Sequence, residues 1–91
     1  MASRFEAVVS SGFLDDLRFW ARTDRRVTLR ILELMDAILR DPYQGVGRPE
    51  PLKYALSGAW SRRITAEHRL VYAVNGARVE FLQARFHYQS S

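Results

Sequence analysis

One amphipathic segment, between Asp24 and Asp41, limits the possible folds of this chain more than any other feature. Thr23 or Asp24 can cap a helix there, and Asp41 and Pro42 end it because a residue before proline disfavours the α conformation. Its apolar side chains form a wide stripe at helical spacing: Val27, Ile31, Leu34 and Ile38, flanked by Leu32, Met35 and Leu39. Such a helix must bury its stripe against a large apolar surface, which the remaining elements have to provide.

Two candidate elements come before this helix, and a loop and three strands follow it. Residues 5–9 form a short strand candidate, and apolar side chains recur at helical spacing over residues 13–21. Residues 43–51 hold two glycines and two prolines, which predicts a stiff loop rather than a helix or strand. Strand-like runs then cover residues 60–65, 69–74 and 78–87.

These elements predict an α+β fold in the order β-α-α-β-β-β. Two N-terminal helices should pack on one face of a mainly antiparallel sheet, because the last three strands follow one another through short connections. The chain of 91 residues, 47% of them apolar, can bury one core, so we expect a single domain over residues 1–91. Residues 89–91 are expected to be a frayed tail.

The register of the last hairpin decides which side chains share a face. Asn75-Gly76 is a hairpin signal, but a two-residue turn there would mix apolar and polar faces. We therefore prefer a loop with an odd number of residues, closed by a glycine bulge. The core face would then hold Leu70, Tyr72, Val74, Leu82, Ala84 and Phe86. The opposite face would hold Arg69, Gln83, Arg85 and His87.

The chain carries a formal net charge of +4, and the whole excess lies in its second half. Of 14 basic and 10 acidic residues, seven and seven lie before Gly47, and seven and three lie from Gly47 onward. Six of the later seven are arginine, whose planar fork matches phosphate oxygens in pairs. The excess alone would suit a solubilising surface, but its concentration among aromatic residues favours nucleic acid as a partner.

The sequence excludes several other kinds of site. It has no cysteine, hence no disulfide or thiolate metal site, and its two histidines and scattered acids show no metal-ligand spacing. There is no glycine-rich loop opening a helix and no nucleophile elbow. No run of about 18 apolar residues could span a membrane, so we expect a soluble intracellular protein. Metal-free phosphate chemistry remains.

Cleavage of RNA without a metal needs a base, a cation and an acid, and three side chains could supply them. Glu50 lies between two prolines that would fix its direction, although it could equally be a solvated loop acid. Arg69 begins an otherwise apolar strand, and His87 ends the last strand beside Tyr88. His68, in a tight connection, is more typical of a turn residue than of a base.

Three stretches carry a resemblance to a known family. They are RFWARTDRR at residues 18–26, RPEPLKYALSGAWSRRITAEHRLVYAV at residues 48–74 and RFHY at residues 85–88. From about Asp15 to Tyr88 the chain resembles the Txe/YoeB family of bacterial toxins, relatives of the RelE ribonucleases. The resemblance implies a compact fold of the microbial ribonuclease type and cleavage of messenger RNA in the ribosomal A site.

The resemblance also implies roles for individual residues. Glu50 matches the general base, Arg69 the arginine of the transition state, His87 the general acid and Tyr88 the aromatic residue beside it. Basic residues that would hold RNA are Lys53, Arg62, Arg63 and Arg85. Because neighbouring residues of a strand point to opposite faces, at most one of Arg62 and Arg63 can join the site. No metal or organic cofactor is implied.

The expected partners follow from the same resemblance. They are a YefM-type antitoxin with a flexible C-terminal tail, the ribosome and its mRNA, a possible second copy of the toxin, and operator DNA reached only through the antitoxin. No membrane partner is expected, and the location would be the bacterial cytoplasm. Two alternatives remain open: a basic sheet that blocks translation without cutting RNA, and a co-repressor subunit that touches DNA through its partner.

Overall fold

The computed structural model of the chain describes residues 5–52 and 58–86. Lys53, His87 and Tyr88 lie outside the described residues, as does the tail predicted at residues 89–91. Within the described ranges, neither helix has the length and apolar character needed to cross a lipid bilayer.

The two helices form where the sequence predicts them. Helix α1 covers Ser11–Thr23 and helix α2 covers Arg25–Arg40. The Ser10 hydroxyl accepts a hydrogen bond from the Phe13 amide, and the Asp24 carboxylate accepts one from the Arg26 amide, so each helix begins at a side-chain cap. Asp41 ends α2, as expected for a residue before proline.

Five strands form one sheet over the described residues: β1 (Glu6–Val9), β2 (Glu50–Pro51), β3 (Ala59–Arg63), β4 (Arg69–Asn75) and β5 (Arg78–Gln83). Their order is β1-β5-β4-β3-β2, with β1 parallel to β5 and the other neighbours antiparallel. The predicted α+β class and the mainly antiparallel sheet are confirmed. Two helices lie against one face, as predicted.

One apolar core joins the helices to the sheet. Its buried side chains are Phe13, Trp20, Val27, Ile31, Leu34, Ile38, Ile64, Leu70, Tyr72, Val79, Phe81 and Ala84. Val27, Ile31, Leu34 and Ile38, the central residues of the α2 stripe, all belong to this core. The sheet therefore covers the apolar face of α2. The other face of the sheet is free to carry polar side chains.

The last two residues of the predicted loop at 43–51 are a strand instead. Glu50 pairs with Ser61 and Pro51 with Trp60, so this part of the loop prediction is wrong. A proline is compatible with this position because β2 lies at the edge of the sheet, where one row of backbone groups needs no strand partner.

The predicted register of the last hairpin is also wrong. Asn75 pairs with Arg78, so the turn is the two residues Gly76 and Ala77, and Gly76 takes the left-handed φ of 59° that this turn requires. The register shifts further along, between Val71 and Tyr72, where Leu82 is the extra residue on β5. The irregularity needed to align the apolar faces therefore lies inside the strands and not in the loop.

This register changes which side chains of β5 are buried. Before the irregularity, Val79 and Phe81 face the helices, and after it Ala84 does; all three are fully buried. Leu82 is only partly buried and Phe86 is 60% exposed, so their predicted places in the core are wrong. Strand β5 ends at Gln83 rather than at residue 87, because the chain turns beyond Ala84.

Candidate active site on the outer face of the sheet

The candidate site lies on the face of the sheet that points away from the helices. Because side chains alternate along a strand, Ser61 and Arg63 of β3 share this face with Arg69 of β4. Glu50 of β2 pairs with Ser61 and therefore joins them. The structure thus brings together two of the predicted catalytic residues, Glu50 and Arg69, which lie 19 positions apart in the sequence.

Arg69 is held by three oxygen atoms. Its Nε donates to Ser61 Oγ at 2.9 Å, and its Nη2 donates to Glu50 Oε1 at 3.2 Å and to the Arg48 carbonyl at 3.4 Å. The Arg69 side chain is 10% exposed, whereas that of Glu50 is 63% exposed. The guanidinium is therefore fixed in the floor of the site, and the carboxylate lies at its solvent side, where it can reach a substrate.

Ser61 is a site residue that sequence reasoning missed. It is 1% exposed, and its hydroxyl accepts the hydrogen bond from Arg69 Nε. This bond orients the guanidinium plane, because Nε and one terminal nitrogen are then fixed by separate strands. A serine two residues before Arg63 in a strand has no signature of its own, so only the pairing of β3 with β4 could have revealed it.

Arg62 points the opposite way, into the protein. It is fully buried, and its guanidinium donates to three backbone carbonyls: Asp41 at 2.6 Å, Gln44 at 3.1 Å and Val46 at 3.0 Å. A side chain in this position cannot contact RNA, so the assignment of Arg62 to RNA binding is corrected. The prediction that Arg62 and Arg63 face opposite sides of the strand is confirmed.

Arg62 and Tyr72 together hold the loop that leads to Glu50. Arg62 Nε donates to Tyr72 Oη at 3.2 Å, and that hydroxyl donates to the Pro42 carbonyl at 2.5 Å. The loop also approaches closely at Gly47, which has a φ of 87° and where an added Cβ would lie 2.9 Å from Leu34 Cδ2. The path of residues 41–47 is therefore set from inside the core.

Burial of Tyr72 leads to a prediction about alkaline pH. Desolvation raises the pKa of Tyr72 above its ordinary value, and the Arg62 hydrogen bond and charge oppose only part of that rise. The folded state thus keeps this proton to higher pH than the unfolded chain does. The stabilisation from it is complete below about pH 10 and is lost as the pH rises through the raised pKa.

We expect Tyr72→Phe to flatten the alkaline decline in the free energy of unfolding. Urea unfolding at intervals between about pH 8 and pH 11 measures this, with the other tyrosines present in both proteins as an internal control. Curves for the two proteins that fall in parallel above pH 10 would contradict the assignment.

This chain is similar in sequence and in fold to bacterial toxins. Residues 9–88 match the model of a family described as "YoeB-like toxin of bacterial type II toxin-antitoxin system". The chain is a member of this family. Among its relatives, toxin YoeB of Streptomyces coelicolor is 54% identical over 74 residues, which make up 81% of this chain and 88% of that protein.

Solved structures of YoeB proteins share the fold. The YoeB/ParE toxin from Agrobacterium tumefaciens has a TM-score of 0.87 and 48% identity, over 92% of this chain and all of that one. YoeB from Staphylococcus aureus, 34% identical over 94% of this chain and 100% of its own, has been solved as a dimer, with a TM-score of 0.85. It has also been solved as a heterotetrameric complex with YefM, with a TM-score of 0.81.

Two further basic residues of this YoeB-like chain lie near the surface. Arg63 is exposed on the same face as Arg69. The guanidinium carbon of Arg85 lies 3.5 Å from the centroid of the Phe19 ring and 4.6 Å from that of Phe86, so the cation is stacked between two aromatic side chains. Both positions are compatible with contacts to RNA, which stay a prediction.

The segment just before His87 is fastened to helix α1. The Ala84 amide donates to Asp16 Oδ2 at 2.8 Å, and Trp20 Nε1 donates to the Ala84 carbonyl at 2.8 Å. Both polar backbone atoms of Ala84 are thus bound by one helix. Helix α1 therefore fixes the backbone at Ala84, three positions before the residue that the family resemblance assigns as the acid.

His68 is the turn residue that its sequence context predicts. Its carbonyl accepts hydrogen bonds from the Ile64 and Thr65 amides, and its own amide donates to Thr65 Oγ1. Its imidazole has a second set of contacts: the ring packs edge-on against Trp20, and Nδ1 accepts a hydrogen bond from the Phe86 amide at 2.7 Å. Sequence reasoning did not foresee this second role.

No group of three His, Cys, Asp or Glu side chains in the described part of the chain has the arrangement of a metal site. A cleft of about 320 Å³ lies at the start of α2, away from Glu50 and Arg69. It is lined by Asp24, Arg26, Val27, Arg30, Ile64 and Thr65. None of the predicted site residues in the ranges 5–52 and 58–86 lines it, so this cleft is separate from Glu50 and Arg69.

Proposed function

We propose that this YoeB-like toxin is a ribosome-dependent mRNA endoribonuclease that works without a metal. The observation that carries the proposal is the contact between Arg69 and Glu50 on the outer face of the sheet. A fixed cation beside an exposed carboxylate is the arrangement that a phosphate and an adjacent hydroxyl group require. The Glu50 side chain is 63% exposed, which suits a substrate presented by a large particle such as the ribosome.

The proposed reaction assigns one task to each residue. Glu50 removes the proton from a ribose 2′-OH, and the resulting oxygen attacks the adjacent phosphorus. The bond from phosphorus to the 5′ oxygen breaks, and His87 protonates that oxygen as it leaves. The products are a 2′,3′-cyclic phosphate and a 5′-hydroxyl. Arg69 stabilises the negative charge that builds on the phosphate oxygens in the transition state.

Binding of RNA falls to other residues in this proposal. Arg63 is exposed on the face that carries Arg69, and Arg85 is partly exposed beside Phe19. The family resemblance assigns Lys53 to RNA binding and Tyr88 to the catalytic group beside His87. Contacts between such cations and phosphates supply affinity and register rather than bond breaking. The loss of one of them should therefore raise the ribosome concentration needed for cleavage.

We also propose a YefM-type antitoxin as the partner that silences this site. The S. aureus relative was solved in complex with YefM, and a cationic surface is most simply neutralised by an acidic segment that folds across it. Arg69 would then meet carboxylates instead of phosphates. The dimer of the same relative supports self-association of this chain as well, and operator DNA would be reached through the antitoxin.

Mapping of mRNA ends in a cell-free translation reaction tests the proposed function. Wild-type protein should create new 5′ ends within codons held in the A site. Because the acid and base need titratable groups, Glu50→Gln or His87→Gln should each lower the cleavage rate by about a hundredfold. Equal melting temperatures would show that both variants fold.

A toxin that only blocks the ribosome would stall translation and create no new 5′ ends, and this outcome would replace cleavage with the binding alternative. A co-repressor would affect neither measurement and would instead act on operator DNA with its partner. Wild-type cleavage rates in both variants would remove Glu50 and His87 from the mechanism while leaving cleavage itself in place.

A further inference from the structure

We infer that His68 is a positioning residue for the C-terminal acid of the proposed cleavage reaction. The proposal rests on the bond between its Nδ1 and the amide of Phe86, the residue directly before His87. It deepens the proposed function, since a role for His87 in catalysis is part of that function. His68 itself touches no reacting atom in this scheme.

The hydrogen bonds at Phe86 form a bracket. Its amide donates to His68 Nδ1 at 2.7 Å, and its carbonyl accepts from the Arg69 amide at 3.1 Å. Two consecutive residues, His68 and Arg69, therefore bind both polar backbone atoms of the residue that precedes the acid. The Arg69 side chain reaches Glu50 from the same point of the chain. One dipeptide thus connects the base, the cation and the segment that leads to the acid.

Phe86 needs this bracket because its backbone is strained. Its φ is 66°, a left-handed conformation that a residue with a large side chain rarely adopts. Its ring is 60% exposed, so burial contributes little to holding it there. Such a conformation persists only where surrounding contacts over-determine it. The bond to His68 fixes the amide of Phe86, and the bond from the Arg69 amide fixes its carbonyl.

The imidazole is itself held in place. Its ring packs edge-on against Trp20, with centroids 4.8 Å apart, and its backbone is fixed on both sides by the turn at Ile64 and Thr65. Because Nδ1 accepts a hydrogen bond, the neutral ring carries its proton on Nε2. A fixed acceptor of this kind can select one backbone conformation at Phe86, the residue that directly precedes the proposed acid in the sequence.

Two variants of similar shape separate the acceptor from the packing. In His68→Asn, the side-chain oxygen can occupy the place of Nδ1 and accept the same bond. In His68→Leu, a methyl group stands there instead. Both variants lose the aromatic ring against Trp20, so a purely structural loss should affect them alike. A difference between them reports on the acceptor alone.

The first measurement is hydrogen exchange at the Phe86 amide by NMR. We expect exchange in His68→Leu to be about tenfold faster than in His68→Asn, the scale of one lost hydrogen bond. The second is single-turnover cleavage on bacterial ribosomes that hold an mRNA codon in the A site. The limiting rate of His68→Leu should be about tenfold below that of His68→Asn, at the same half-saturating ribosome concentration.

The outcomes are distinct. Equal Phe86 exchange in the two variants overturns the inference, and so does faster exchange in His68→Leu with no difference in limiting rate. If the wild-type protein cuts mRNA while the two variants cut equally, the proposed function stands and the positioning role is wrong. If the wild-type protein creates no ends at all, the proposed cleavage is wrong, and the bond to Phe86 serves the fold only.

Discussion

Arg69→Ala is expected to lower the single-turnover rate of mRNA cleavage by about a hundredfold to a thousandfold, even when ribosomes are saturating. Its side chain is 10% exposed and its guanidinium is bound to Ser61 and Glu50, so the cation is already oriented before RNA arrives. A preorganised cation costs no rearrangement when charge develops on the phosphate. Its loss should therefore be felt in the chemical step.

Arg63→Ala is the matched control for this prediction. Arg63 pairs with Arg69 across β3 and β4 and shares its face, but it is exposed. We expect its loss to weaken ribosome binding, more so at higher salt, and to leave the saturated rate nearly unchanged. The reverse pattern, with a normal affinity and a collapsed rate in Arg63→Ala, would place Arg63 at the scissile phosphate and contradict the division of roles.

Arg62→Met should lower the free energy of unfolding by about 3–5 kcal/mol, through the loss of a buried hydrogen-bonded charge. Methionine can fill much of the space of the aliphatic stem, but it leaves the carbonyls of Asp41, Gln44 and Val46 without their donor. It also removes the donor to Tyr72 Oη. Because small domains are stable by about 5–15 kcal/mol, much of the total would be lost.

Urea unfolding with the neighbouring Arg63→Met as control measures this effect. The control removes the same charge one residue away, from an exposed position, and should change the free energy of unfolding by about 0.5 kcal/mol or less. Similar urea midpoints for wild type and Arg62→Met would mean that the buried guanidinium does not hold the loop. Equal losses in the two variants would show a general effect of net charge instead.

The helices and the sheet class could be predicted from the sequence because their signals are local. The stripe of α2 and the cap at Asp24 depend only on residues within a few turns of each other. The strand at Glu50 and Pro51 could not be predicted. The segment is rich in glycine and proline, and it forms a strand only because it pairs with β3. Pairing of distant segments leaves no periodic pattern in so short a run.

The register of β5 shows a second limit. The sequence required that its apolar face be brought into line with that of β4, and this requirement was correct. The sequence did not show where the extra residue would lie, and we expected it in the loop at Asn75-Gly76. The shift instead lies at Leu82, opposite Val71 and Tyr72, so that Val79 and Phe81 are buried before it. Phe86 is exposed because β5 ends at Gln83.

Part of the candidate site could be assembled before the structure was known, although the sequence alone left Glu50 open as a solvated loop acid. Glu50 and Arg69 were assigned from the sequence, and the structure brings them into contact. Arg62 and Arg63 look identical in the sequence, and alternation along the strand predicted that they would separate. Which of the two lies inside could not be foreseen, because the carbonyls that Arg62 binds come from a loop 16 to 21 positions earlier in the chain.

The burial of Arg62 has a consequence for genetic selections in a cell that expresses this toxin. Survivors would include substitutions at Arg62 and at Gly47, where any side chain would collide with Leu34, and these lower the amount of folded protein. They would also include those substitutions at Arg69 that slow the proposed reaction without lowering the amount of folded protein. A map of survivors alone would therefore merge the two groups, and measuring toxin abundance in each survivor would separate them.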